Sequence, residues 1–164
     1  MKDRDWMKKD PTVATGGCQC GAVRYHVTQP LGRSVLCHCR MCQRATGNAF
    51  APLVRAEGTE FTGTPARFAS SEVADRGFCG TCGTPLFYDG HQGQGLYLMV
   101  GSLDNPGDAP PVLHCGTESQ LAWLSFSDSL PTEATKVGGL SGNTPVGFLS
   151  HQYSGGSEAT KEDT

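Results

Sequence analysis

Residues 16–28 read Gly16-Gly-Cys-Gln-Cys-Gly-Ala-Val-Arg-Tyr-His-Val-Thr28, and residues 78–83 read Phe78-Cys-Gly-Thr-Cys-Gly83. The second stretch is a strong zinc-knuckle signal. Its two-residue spacer turns both sulfurs to one side, and Gly83 permits the positive-φ turn whose backbone N–H groups face the thiolates. In the first stretch Cys18 and Cys20 stand at i and i+2, so an extended chain points both sulfurs the same way. Tetrahedral zinc wants four soft ligands, commonly as two chelating pairs. Cys18, Cys20, Cys79 and Cys82 therefore read as one closed structural site. It would join segments with 58 residues between Cys20 and Cys79. In a small domain such a site contributes folding free energy directly.

Around these pairs the chain reads as short β runs. Ala22–Thr28 places Val23, Tyr25 and Val27 on one face. Further strands are expected at Ser34–His38, Phe50–Val54, Ala66–Ala69, Val73–Phe78, Pro85–Tyr88 and Leu96–Val100. Pro52 marks an edge or a bulge. One short helix is expected over Arg40–Thr46, ended by Gly47 in a left-handed cap. Gly and Pro together make 32 of 164 residues, near 20% against an average of about 12%, which disfavours long helices. The fold class is mainly β. The polar residues 1–14 read as a mobile segment, 15–131 as one zinc-binding domain and 132–164 as a Gly-rich tail in which Val146–Leu149 could dock.

The net charge of −3, with 13 Lys and Arg against 16 Asp and Glu, makes a poor case for a nucleic-acid partner. No apolar run approaches the ~20 residues of a membrane span, and Met1–Asp10 is too charged for an export signal. The expected location is the cytoplasm, where eight cysteines stay reduced and clusters of them serve as ligands or reactive thiols.

Cys37-His-Cys-Arg-Met-Cys42 offers three more sulfurs within six residues. Three protein ligands with one position left open is the pattern of a catalytic zinc. Such an ion can hold a substrate thiol as thiolate beside an electrophile. Arg40 and Arg44 lie close by in sequence, placed to attract an anionic substrate or to offset the negative thiolates. The same residues admit a structural site with His38, Cys115 or another group as fourth ligand. His38, between two ligands on an extended run, points to the opposite face, to pack or to hydrogen-bond. Cys115 reads first as a small buried hydrophobe. His26 is expected at the surface, and His91 and His151 in Gly-rich loops. By ligand type, iron fits the four-cysteine set as zinc does. Disulfides fit less well, because closing a Cys-x-Cys pair is strained.

The order Gly17-Cys-Gln-Cys-Gly-Ala-Val-Arg-Tyr25, Cys37-His-Cys-Arg-Met-Cys-Gln43 with Gly47 and Phe50, Phe78-Cys-Gly-Thr-Cys-Gly83 and Gly101-Ser-Leu-Asp104 resembles the glutathione-dependent formaldehyde-activating family, also called the centromere protein V family. Pro111-Val-Leu-His-Cys115 and Trp123 sit where that family has a strand with His and then a Trp. The resemblance runs from about residue 16 to 130. It implies a mostly antiparallel, zinc-stapled β-tent fold with two zinc ions. Cys18, Cys20, Cys79 and Cys82 would hold the structural ion, and Cys37, Cys39 and Cys42 the catalytic one. It also implies a carbon–sulfur lyase whose partners are a small thiol and an aldehyde, by default glutathione and formaldehyde joined as S-hydroxymethylglutathione. The rival functions are a non-enzymatic zinc-binding interaction module and a metal or redox sensor.

Overall fold

The chain was analysed as a computed structural model that describes residues 13–135. Two sheets and one short helix form around the cysteine pairs. The small sheet is β1 (Ala14–Gly17), β2 (Arg24–Val27) and β5 (Thr59–Thr62), antiparallel in the order β1-β2-β5. The large sheet is open and eight-stranded. Its strands are β3 (Ser34–Cys37), β4 (Ala51–Arg55), β6 (Ala66–Ser71), β7 (Ala74–Phe78), β8 (Pro85–Gly90), β9 (Gly95–Met99), β10 (His114–Cys115) and β11 (Thr132–Glu133). They lie in the order β11-β10-β3-β4-β9-β8-β7-β6. The helix α1 (Arg40–Thr46) bridges β3 and β4.

The alternation in β2 decides which side of the small sheet is inside. Val23, Tyr25 and Val27 are buried against Val54, Leu86, Phe87 and Leu98 of the large sheet, together with Cys18 and Cys79. A second core lies on other residues of the large sheet. There Val35, Leu53, Tyr97, Met99 and Leu113 enclose Cys37, Cys42 and Cys115. Neighbouring residues Leu53 and Val54 on β4 serve the two cores in turn, as the period-2 geometry of a strand requires. The small sheet is tied to the chain after β9 by polar contacts. Thr15 Oγ1 donates to Asp104 at 2.6 Å, Arg24 pairs with Asp104 at 2.5 Å, and the Tyr25 and Ser102 hydroxyls meet at 2.7 Å.

Each strand expected from the sequence forms, with ends shifted by no more than two residues, and α1 spans the expected residues. Gly47 ends the helix at φ 62°, where a side chain would be strained. Pro52 lies on an interior strand, yet it pairs only with Leu36 of β3, because the register with β9 begins at Leu53. Strands β1, β5, β10 and β11 carry too few alternating apolar residues to be read locally. They form because the rest of the fold presents an edge to them. β10 pairs in parallel with both β3 and β11, a departure from an otherwise antiparallel arrangement. The β pairing thus runs past Pro131 to Glu133. The expectations for residues 1–12 and 136–164, including a docked Val146–Leu149 and a loop at His151, lie outside the described residues.

β7 is packed most tightly at Gly77. A Cβ there would stand 2.0 Å from the Phe87 ring, which lies across the strand under Arg67. The substitution Gly77→Ala forces Phe87 out of its place and should cost about 1–3 kcal/mol. Urea denaturation of the metal-loaded protein checks this as a lower midpoint with an unchanged slope.

Candidate metal centres

The turn after β1 and the turn between β7 and β8 bring four sulfurs together. Cys18, Cys20, Cys79 and Cys82 all lie within 4.8 Å of one another and could hold a metal ion. The Cys18–Cys20 and Cys20–Cys79 separations are 3.5 and 3.7 Å. Zinc–sulfur bonds of about 2.3 Å at tetrahedral angles place the sulfurs about 3.8 Å apart, so these edges fit. None of the eight cysteines is disulfide-bonded. Local N–H and O–H groups support the sulfurs. The Val23 N–H donates to Cys18 Sγ at 3.2 Å, and the Thr84 hydroxyl lies 3.1 Å from Cys82 Sγ. The Thr84 hydroxyl and backbone N–H draw the Cys82 thiol down to about 5. Cys18 and Cys79 face the core, while Cys20 and Cys82 face solvent.

The second cluster sits where β3 runs into α1. Cys37, Cys39 and Cys42 lie within 4.8 Å of one another and could hold a second ion, with Cys37 and Cys39 at 3.5 Å. Cys39 is also the helix N-cap, accepting the Cys42 N–H at 3.4 Å. Cys42 accepts from Arg76 Nη2 at 3.4 Å. Its thiol is held well below the ordinary range by the Cys37 and Cys39 sulfurs and by the Arg76 cation. Cys37 is pushed well above that range by Cys115 and by the other two sulfurs. Cys115 is buried beside Cys37 on the paired strand β10, outside the group whose sulfurs converge.

His38 turns away from the sulfurs flanking it. It is fully buried, and its Nε2 lies 2.8 Å from His114 Nδ1. Asp128 accepts from His114 Nε2 at 3.2 Å, which leaves His114 Nδ1 to accept from His38. Phe50 and Phe126 pack on the two rings. His26 is partly exposed beside Glu60, and His91 sits beside Asp75.

Arg40 and Arg44 line a groove of about 300 Å³ beside α1, with Gln43, Asn48, Leu121 and Trp123. Trp123 is 75% exposed over it. Arg40 donates to the Gln43 side-chain oxygen, and the Gln43 amide donates to the His38 and Ser119 carbonyls at 2.7 and 2.9 Å. Sequence reasoning passed over Gln43, the His114–Asp128 pair and Arg76. For Arg76 a signal exists: it alternates with Ala74 and Phe78 on β7, on the opposite face from Asp75, three residues before Cys79.

The family described as glutathione-dependent formaldehyde-activating enzyme matches residues 13–119, a span that includes all eight cysteines. The chain belongs to that family. A crystal structure of a Rhodobacter sphaeroides protein is similar with a TM-score of 0.41 and 22% identity, over 72% of this chain and 98% of that one. No curated protein matches the chain. Among the described residues no helix is long and apolar enough to cross a membrane.

The two centres differ in what they hold together. The first joins the turn after β1 to the end of β7, whereas the ligands of the second fall within one β3–α1 turn. Cys79→Ser should therefore abolish soluble folded protein. Cys39→Ser should keep the far-ultraviolet circular dichroism of the wild type, shift Tm by no more than about 5–10 °C, and lower bound metal from two ions per chain to one. Circular dichroism with metal analysis of both variants checks this, and equal loss of fold would make the second centre structural as well.

Proposed function

We propose that this protein is a zinc-dependent carbon–sulfur lyase that forms or cleaves the adduct of a small thiol and an aldehyde, with glutathione and formaldehyde as the default pair. The observation that carries this reading is the three-sulfur donor set at Cys37, Cys39 and Cys42, carried into the same helix whose Arg40, Gln43 and Arg44 line a groove. A zinc ion held there supplies a Lewis acid that keeps a soft thiol ligand deprotonated near neutral pH. Cys37, Cys39 and Cys42 would hold such an ion with three sulfurs, one fewer than a closed structural zinc site takes.

The chain's own groups then divide the work. Arg40 and Arg44 offer positive charge to a carboxylate of the thiol substrate, and Trp123 gives the groove an apolar wall. Arg40 is positioned through Gln43, which is fixed by two backbone carbonyls. The substrate thiolate attacks the aldehyde carbon. One carbon–sulfur bond forms, the carbonyl π pair becomes an alkoxide, and a proton from solvent completes the hydroxyl. Cleavage runs through the same steps in reverse. The sulfurs of both clusters must stay reduced, which supports a cytoplasmic location.

A thiol that binds as thiolate releases its proton, so binding strengthens as pH rises. Below the thiol pKa of about 8.5 the affinity should rise up to about tenfold per pH unit. Isothermal titration of the zinc-loaded full chain with glutathione, in two buffers of different ionisation enthalpy, should show about one proton released. S-methylglutathione, which cannot ionise at sulfur, should bind far more weakly, and Cys39→Ser should lose the discrimination. Equal binding of the two ligands, or of neither, would sink glutathione chemistry. A metal-dependent protein without turnover on any thiol–aldehyde adduct would favour the interaction module or the sensor.

A further inference from the structure

Arg76 lies in the middle of β7, opposite Tyr88 on β8, and only 7% of it is exposed. Its guanidinium reaches into the second core. Nη2 donates to Cys42 Sγ at 3.4 Å, and the guanidinium carbon stands 5.3 Å from the centre of the Tyr88 ring. Nε and Nη1 are buried and have no hydrogen-bond partner. An arginine stays charged in proteins, and a buried charge is costly unless an anion compensates it. The group this one meets is a cysteine sulfur.

The charge count explains why such a residue belongs here. A divalent ion with three thiolates carries −1, and an added thiolate would bring it to −2. In the first centre Cys20 and Cys82 face solvent, which screens the excess charge. Cys37 and Cys42 have no such access, and Cys39 has only part of it. We infer that Arg76 is the positioning residue of the second centre: it holds Cys42 in place through a charged hydrogen bond and supplies the positive charge that lets a buried three-thiolate site accept an anionic fourth ligand. With Arg76 the centre is neutral before that ligand arrives and −1 after it. The inference deepens the proposed function and rests on that reading for the anionic ligand, while its effect on the metal is independent of turnover.

The test uses cobalt(II) in the full chain, whose sulfur-to-metal charge-transfer bands report both centres without any reaction. Wild type, Arg76→Met, Arg76→Gln and Arg76→Lys are titrated against a competing chelator, with glutathione or imidazole then added as fourth ligand. Arg76→Met and Arg76→Gln should weaken cobalt binding at the second centre about 10–100-fold, as loss of an outer-shell partner typically does. The first centre of the same molecules should be unchanged, which also shows that they are folded. Arg76→Lys should recover most of the loss, and glutathione binding should fall more than imidazole binding in the two neutral variants. Wild-type affinity in Arg76→Met or Arg76→Gln would overturn the inference. So would loss of both centres in Arg76→Met and Arg76→Lys alike, which would make Arg76 a residue of the fold alone. A wild-type cobalt protein that binds no thiol would instead overturn the proposed function, and the metal affinities would still decide the role of Arg76 as the cation that holds the centre.

Discussion

The convergence of Cys18 and Cys20 with Cys79 and Cys82 is the constraint on which the rest of the structure depends. Cys18 and Cys79 sit inside the core between the two sheets, so the cluster forms part of that core's wall. It fixes where the turn after β1 meets the end of β7. From that junction the small sheet can cover Leu86, Phe87 and Leu98 with Val23, Tyr25 and Val27. A three-stranded sheet of four-residue strands has little area with which to hold itself there. The four sulfurs and the polar clasp of Thr15, Arg24 and Tyr25 on Asp104 and Ser102 supply what burial alone does not.

Much of this was legible in the chain because local chemistry and local geometry agreed. Cys-x-Cys on an extended run and Cys-x-x-Cys before a glycine each dictate where the sulfurs point, and the Val23, Tyr25, Val27 alternation dictates which side of β2 is inside. The direction of His38, away from its cysteine neighbours, followed from the same period of two. What could not be read was set by distant partners. β1 is Ala14-Thr-Gly-Gly17; it is a strand because β2 offers it an edge, and Gly16 stands where a side chain would strike Tyr25 and Ser102. β10 is two residues long and pairs in parallel with β3. Arg76 shows its purpose only when β7 has been laid beside α1.

The two centres face opposite physical problems. One is half open to water and is buttressed by N–H and O–H groups from its own turns, such as Val23 and Thr84. The other is largely buried, and two of its sulfurs draw support from separate elements: Cys39 from the Cys42 N–H of the helix, and Cys42 from the β7 guanidinium. β7 serves both. Its Gly77 side admits Phe87 to the core shared with the first centre, its Arg76 side reaches the second, and its end delivers Cys79. A single strand with alternating faces thus keeps two clusters of like charge apart while packing each against its own core.

The contacts that close this fold are long in sequence. Cys20 and Cys79 are 59 residues apart, His38 and His114 76, and Tyr25 and Ser102 77. Such topologies fold on the millisecond-to-second scale, because loop entropy is lost before the contacts repay it. At synthesis rates of 5–20 residues per second, roughly 3–12 s separate the appearance of Cys20 from that of Cys79. For the last 37 residues of that interval the nascent chain already contains all three cysteines of the compact Cys37–Cys42 cluster. Metal capture during translation can therefore begin at the centre whose ligands are local, and the centre that locks the two sheets together is the last whose ligands all exist.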